Sequence, residues 1–318
     1  MNKMNIIDKV LSLQEFKEHP PVLLDIGASG KLHEIWKSIA KYSICIAFDA
    51  DSREMEYTVN ESSHYKKLYV YNRILISQLK ENEETFYLTK SPYCSSLLQP
   101  LNKKLANWAF ADLFEVENKA SLKTVDLTTV LTELKLDKVD WFKTDSQGTD
   151  LRLFKSLGEP VIKKVLVAEF EPGIIDAYQG EDKLWQLMSY MDKREFWMSD
   201  INIRGSQRLR KDIKDNLNYL ERKLTPWLIK TSPGWGEVAY INSFKQDFTK
   251  RELLLGWVFS TLKQQHGFAL EVAIDGYQKF HDPIFMELKK NTWISIKGSY
   301  FKLPIYFINV FLRRVLKR

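Results

Sequence analysis

The sequence predicts an α/β protein: a mostly parallel sheet covered by helices, followed by a helical C-terminal region. Three observations predict it. Short apolar runs of four or five residues alternate with stretches of helical spacing over about the first 240 residues. Several of the runs end in Asp, Gly or Ser, the residues expected where strands turn into helices. Beyond about residue 245 the strand-like runs stop and only helical patterns continue.

The elements follow in order. Val22–Ile26 is a short apolar strand ending in small residues. Residues 31–42 have helical spacing of Leu32, Ile35, Trp36 and Ile39. Ile44–Phe48 is a second buried strand and 68–71 a third. Residues 74–77 and 85–88 are β-rich and read as a hairpin. Helical 128–134 precedes a fourth strand at 139–143; helical 151–157 precedes a fifth at 165–169. Residues 184–191 are helical, 196–199 form a sixth strand and 238–241 a seventh. This order predicts a Rossmann-like, doubly wound, seven-stranded sheet in a domain over 1–245. Residues 202–232 are an insertion between the last two strands, rich in Arg204, Arg208, Arg210, Lys211 and Lys214. A helical extension with a basic amphipathic tail occupies 246–318, with helices expected over 248–262 and 268–280.

Composition narrows the function classes. Two cysteines, Cys45 and Cys94, are too few for a disulfide framework or a structural zinc site, which suits a reducing cytoplasm. The start of the chain has no long apolar segment of the signal-peptide kind, and no stretch of about 18 apolar residues occurs. His19, His33, His64, His266 and His281 lack metal-ligand spacing, so no metal site is expected. The net charge of +6 is uneven: residues 288–318 hold eight of the 47 basic residues and none of the 41 acidic ones. The remainder is near neutral, which argues against a nucleic-acid partner.

In an open parallel sheet, ligands bind beyond the carboxyl ends of the strands. After the first strand come Asp25, Gly27, Ala28, Ser29 and Gly30, a turn that admits a ligand close to the backbone. The spacing falls short of a full dinucleotide fingerprint. Asp25 favours a cationic group. Asp49 and Asp51 follow the second strand, and Asp49 stands 24 residues after Asp25, a distance that fits one strand–helix–strand unit. A carboxylate there accepts hydrogen bonds from ribose hydroxyls. Lys143, Asp145, Gln147 and Gly148 follow the fourth strand, and Glu169 and Glu171 the fifth. Period two puts the two glutamates on one face, and acids are costly to bury there without a partner. The simpler readings stay open: a glycine turn without ligand, cap acids, a structural Lys143 and a Glu171 salt bridge.

These segments resemble FkbM-type methyltransferases of the class I, S-adenosylmethionine-dependent kind. The resemblance rests on Leu23-Leu-Asp-Ile-Gly-Ala-Ser-Gly30, Ala47-Phe-Asp-Ala-Asp51, Tyr71-Asn-Arg-Ile-Leu-Ile76, Val139-Asp-Trp-Phe-Lys-Thr-Asp-Ser-Gln-Gly148 and Val165-Leu-Val-Ala-Glu-Phe-Glu171, in family order over about 20–200. It implies an S-adenosyl-L-methionine site of Asp25, Gly27, Ala28, Ser29, Gly30, Asp49, Ala50, Asn72 and Asp145. It further implies O-methyl transfer, and the placement of Asp145 and Glu171 at adjacent strand ends makes them, with Lys143, the candidate catalytic residues. Gly30 stands one residue before the family's usual last glycine, Gln147 replaces a common glutamate, and the chain beyond about 245 matches no pattern of the family.

The additions suggest the acceptor. The basic insertion suits a phosphate or acidic sugar near the acceptor site. The tail, 292–318, carries Asn309, Arg313 and Lys317 on one helix face among apolar residues, which suits an anionic membrane surface. The expectation is an enzyme methylating a hydroxyl of a surface or lipid-linked saccharide, cytoplasmic and peripheral to the membrane. The alternatives are a soluble secondary-metabolite acceptor, a catalytically silent scaffold for glycan assembly, and, for the tail, core packing or an oligomer contact.

Overall fold

A computed structural model of the chain describes residues 5–28, 32–51, 53, 64–78 and 81–300. Ser29, Gly30 and the tail beyond residue 300, which carry three of the expectations above, lie outside the described residues.

The described residues form two compact units. One comprises Pro20–Ser243 and the other joins the start of the chain to Phe244 and beyond. The first unit is an α/β sheet domain. Its strands are β1 (Val22–Ile26), β2 (Ile44–Phe48), β3 (Lys67–Tyr71), β4 (Ile74–Ile76), β5 (Glu83–Thr89), β6 (Val116–Asp126), β7 (Trp141–Thr144), β8 (Val167–Phe170), β9 (Phe196–Gln207) and β10 (Thr231–Asn242). Seven of them build one sheet in the order β3-β2-β1-β7-β8-β10-β9. β3 through β8 run parallel within it, and β10 is antiparallel to both of its neighbours. The seven strands expected from the sequence are these seven.

The parallel strands are apolar runs because both of their faces are covered. All five residues of β1 are buried. Phe142, Phe154 and Phe170 meet at ring separations of 5.1 to 5.8 Å in the core. Helices α4 (Leu127–Glu133), α5 (Asp150–Ser156) and α7 (Leu184–Met191) supply Leu127, Val130, Leu153 and Leu187 to the same core. Asp126 caps α4 by accepting from Thr129 N at 2.8 Å. The remaining helices of this unit are α3 (Asn102–Leu105), α6 (Glu159–Ile162), α8 (Lys211–Asp215) and α9 (Tyr219–Leu228).

Three expectations change here. Residues 74–77 and 85–88 do not pair with each other: β6 lies between β4 and β5, parallel to the first and antiparallel to the second. β6 was not legible because only its last few residues are buried, so it carries Lys, Asn and Glu instead of an apolar run. Residues 31–42 hold two short 3-10 helices, Glu34–Ser38 and Ala40–Tyr42, in place of a regular helix. The insertion expected over 202–232 is shorter, since β9 runs to Gln207 and β10 starts at Thr231.

The second unit is helical. Helices α1 (Ile6–Leu11) and α2 (Gln14–Glu18) belong with α10 (Lys250–Leu262), α11 (His266–Phe280) and α12 (Pro283–Ser299). The expected division at 1–245 and 246–318 is therefore corrected at its N-terminal end. The reason is packing: Arg251 donates to the His19 carbonyl at 2.8 Å and lies over the Phe16 ring, and Lys250 bridges Glu15 and Asp282. The α10 helix is apolar on all sides and buried accordingly, with Leu254, Trp257 and Phe259 fully enclosed. Among the described residues no helix is long and apolar enough to cross a membrane.

Candidate functional site

The site lies at the carboxyl ends of β1, β2, β7 and β8. Gly27 leaves β1 at φ +75°, and a Cβ there would sit 1.9 Å from the Asp145 carbonyl oxygen. Glycine is what lets the turn after β1 touch the turn after β7. The contact is held by Asp145 N donating to Ile26 O at 2.8 Å and by Gly27 N donating to Phe48 O at 2.9 Å. Ala28 N also reaches Phe48 O, at 3.2 Å. The three strand ends are thus tied through their backbones.

Two groups of acids grow from this frame. In the first, parallel register places Asp25, Lys143 and Glu169 side by side on β1, β7 and β8. Asp25 is fully buried, and Lys143 Nζ stands 2.7 Å from its Oδ1. Burial works against the Lys143 ammonium, but Asp25, with Asp145 and Glu169 behind it, outweighs this and raises its pKa above the ordinary lysine value. Glu169 Oε2 lies 3.0 Å from both His33 Nε2 and Trp141 Nε1. Period two had put Glu169 and Glu171 on one face; instead Glu169 joins the Asp25–Lys143 row, while Glu171 lies beyond the strand in a cavity with Asp145.

The second group is Asp145 with Glu171 and Asp150. Gln147 Nε2 donates to Asp145 Oδ1 at 2.5 Å, and Glu171 hydrogen-bonds the same carboxyl. The Tyr178 hydroxyl stands within donating distance of two acceptors, the Cys94 carbonyl at 2.8 Å and Gln147 Oε1 at 3.0 Å. Burial, then the neighbouring Asp145, pushes Glu171 up to about 9. Burial also raises Asp145, against the pull of Lys143. Asp150, fully enclosed, is raised to about 7 by burial and then by Asp145. With Lys143 nearer to Asp145, the shared proton belongs on Glu171 at neutral pH.

Two cavities meet at Asp145. One is a groove of about 70 Å³ along the ends of β1 and β2, lined by Gly27, Asp49, Ala50, Asp51 and Ser95 among others. The other is a cavity of about 550 Å³ lined by Phe110, Phe114, Tyr178, Trp235, Glu171 and Glu181 among others. Tyr93, Asp145 and Gln147 line both. The edge of Trp235 meets Phe110 at 6.2 Å, and Phe110 leans on Phe114 at 5.2 Å, so one wall is aromatic.

The residues singled out in the sequence fall into distinct places. Gly27, Asp49, Ala50 and Asp145 line the groove, and Glu171 the larger cavity. Asp49 is buried, with one carboxylate oxygen accepting from Asp51 N at 2.8 Å. Asn72 acts on the backbone: its Nδ2 donates to Asp49 O at 2.9 Å. Asp51 is paired with Arg53 at 2.5 Å, and Arg53 also donates to Ser95 Oγ. Asp25 and Lys143 are turned to each other and line neither cavity. The insertion contributes Gly205 and Ser206 to the larger cavity, but none of its basic residues. Arg204 pairs with Glu237, Arg210 with Asp212, and Lys211 and Lys214 with Asp112. The expected basic pocket for a phosphate or acidic sugar is therefore an aromatic and acidic one. Its aromatic wall went unnoticed because Phe110, Phe114, Tyr178 and Trp235 stand far apart in the chain, without a local pattern.

Compared with known proteins, the chain matches no family model, no curated protein and no solved structure.

Proposed function

We propose that the chain is an S-adenosylmethionine-dependent O-methyltransferase of the class I, FkbM-like kind, acting on a saccharide hydroxyl. The observation that carries the reading is the meeting of the two cavities at Asp145. A groove bordered by a glycine turn and the Asp49 carboxylate opens at that residue into a larger aromatic cavity. The strand order, with an antiparallel β10 set between the fifth and sixth strands of the sheet, supports the same reading.

The groove residues fit a nucleoside-type cofactor on two counts. Gly27 keeps the turn free of a side chain, and Asp49 offers a carboxylate at the strand end where ribose hydroxyls bind. When bound, S-adenosylmethionine supplies an electrophilic methyl group. Asp49 and Ala50 would hold it from β2, and the Gly27 turn from β1. Asp25 is committed to Lys143, so its part is to fix the shape of that turn.

The acceptor side follows from the acids. Phe110, Phe114 and Trp235 offer ring faces and edges on which a sugar's apolar C–H face packs. The cavity holds carboxyls and no basic side chain among its lining residues, so the reacting group is a neutral hydroxyl. Asp145, held by Gln147, takes the hydroxyl proton as general base. Glu171, protonated, donates a hydrogen bond to Asp145 and lowers the charge density facing the acceptor. Enclosure excludes water and aligns the oxygen.

Calorimetry tests the cofactor half. S-adenosylmethionine and its demethylated product are expected to bind the wild type, and Asp49→Ala to lose that binding by tenfold or more, about 1.4 kcal/mol. No binding to the wild type would favour the silent-scaffold alternative. Transfer of labelled methyl to a panel of neutral saccharides then tests the acceptor half.

A further inference from the structure

Helix α9 carries its apolar side chains on the outside. Leu220, Leu224 and Trp227, at the i, i+4, i+7 spacing of one helix face, are 66%, 49% and 86% exposed. Tyr219 and Leu228 add to the same exposed surface. The one buried side chain of the helix is Thr225, whose hydroxyl donates to Glu221 O. A helix packed on a core has the opposite arrangement, apolar in and polar out. The helix is nevertheless well started: Asn218 and Glu221 form a reciprocal cap at 3.0 and 2.8 Å, and Arg222 donates to the carbonyls of Leu217 and Asp215. Contiguous exposed apolar surface of this kind marks an interaction site.

The charges around it indicate the partner. Of the seven basic residues among 208–230, Arg210, Lys211 and Lys214 are paired with acids, and Arg222 is spent on backbone carbonyls. Lys223 lies in α9 and Lys230 just beyond it, both exposed. An aliphatic stripe with Tyr at one end and Trp at the other, flanked by lysines, is the composition of a helix lying in the plane of a negatively charged lipid surface.

We propose that α9 is a membrane-docking helix. Leu220, Leu224 and Trp227 enter the headgroup region of an anionic bilayer, and Lys223 and Lys230 meet lipid phosphates. This helix is a different segment of the chain from the basic tail at 301–318, and the docking does not depend on the chemical reading above. It has a consequence for that reading. A cavity of about 270 Å³ next to α9, lined by Arg222, Thr225 and Pro226, shares Phe110 and Ser206 with the acceptor cavity. Docking would bring that side of the acceptor cavity to the lipid surface, where a lipid-linked saccharide is presented.

Flotation of the full-length protein with phosphatidylcholine vesicles, with and without phosphatidylglycerol, tests the proposal. The wild type is expected to float with the anionic vesicles, and high salt to weaken binding. The variant Leu220→Ser/Leu224→Ser/Trp227→Ser is expected to lose at least about tenfold in vesicle affinity. Its melting curve should be unchanged, because these side chains are exposed. A second full-length variant, Arg313→Glu/Arg314→Glu/Lys317→Glu, is expected to keep most of the binding. The proposal is overturned if the wild type stays unbound, if it binds neutral vesicles equally well, or if the stripe variant floats like the wild type. It is equally overturned if only the tail variant loses binding. Self-association of the wild type that disappears in the stripe variant, without flotation, would assign the surface to a second copy of the chain and overturn it too.

Discussion

Two groups of acids stand at the same end of the same sheet, and they are handled in opposite ways. Asp25 has a lysine 2.7 Å away, and the Asp25–Lys143–Glu169 row alternates in sign across three strands. Asp145, Glu171 and Asp150 have no cation of their own among the described residues, and only the first two feel the outer influence of Lys143. The first group is compensated and closed, so it shapes the turn after β1. The second is short of positive charge and retains a proton at neutral pH, so it is able to exchange one with a ligand. Two carboxyl clusters of similar composition thus differ in role because one lysine sits nearer to one of them.

The largest expected effects come from breaking each half separately. Asp145→Asn keeps the shape of the second group and removes its base, and methyl transfer is expected to fall by about 100- to 10,000-fold. Steady-state assays with an accepted saccharide measure it, and full activity in this variant would remove Asp145 from the chemistry. Lys143→Met acts on the first group. It leaves the fully buried Asp25 carboxylate without a cation and is expected to cost about 3–5 kcal/mol of stability. Urea unfolding reads this directly, and adding Asp25→Asn to the same chain should recover most of the loss. A Lys143→Met protein as stable as wild type would show that the row is not closed by that ion pair.

How much of this was legible beforehand depended on whether the signal was local. The acids at the strand ends were legible, since Asp25, Asp49, Asp145 and Glu171 each stand within two residues of the end of a strand-like run. The seven-stranded sheet was legible for a similar reason, its central strands β1 and β2 being buried apolar runs. Which acid faces which was not: Lys143 meets Asp25 through the register of two strands separated by more than a hundred residues. The exposed strand β6 lacked an apolar signature. Helix α12 had a signal that was passed over, Asp282 as cap with Pro283 at its first position. The joining of α1 and α2 to the C-terminal helices rests on contacts more than 200 residues apart in sequence, such as Arg251 with the His19 carbonyl.

A pH series sharpens the comparison further. The Glu171 carboxyl, at about 9 in the fold, lies above the ordinary glutamate value of 4.5, so the folded state binds a proton that the unfolded chain has released. Stability from this group is therefore fully present below about 4.5 and is lost as pH rises toward about 9, with a slope of at most about 1.4 kcal/mol per pH unit. Asp150 acts in the same direction between its ordinary 3.8 and about 7. Glu171→Gln, which keeps the neutral shape, should flatten this decline, matching wild-type stability within about 1 kcal/mol near pH 4.5 and exceeding it as pH rises toward 9. An unchanged slope in this variant would move the retained proton elsewhere. Lys143 should add no such slope over this range, since its neighbours hold it in its charged form.

The smallest effect expected is on the aromatic wall, and it separates binding from proton transfer. Trp235 is half-buried against Phe110 and has no part in the hydrogen bonds around Asp145. Truncating it removes ring area from the acceptor cavity and leaves the acids in place. Trp235→Ala is expected to raise KM for a saccharide acceptor about 5- to 30-fold, a loss of about 1–2 kcal/mol of packing, with kcat within about threefold of wild type. Its pH profile should overlay that of the wild type, since the proton-bearing pair is untouched. A fall in kcat with KM unchanged would mean that the wall positions the reacting oxygen and does not simply hold the ring, which would tie the aromatic cavity to Asp145 more closely than their shared lining alone requires.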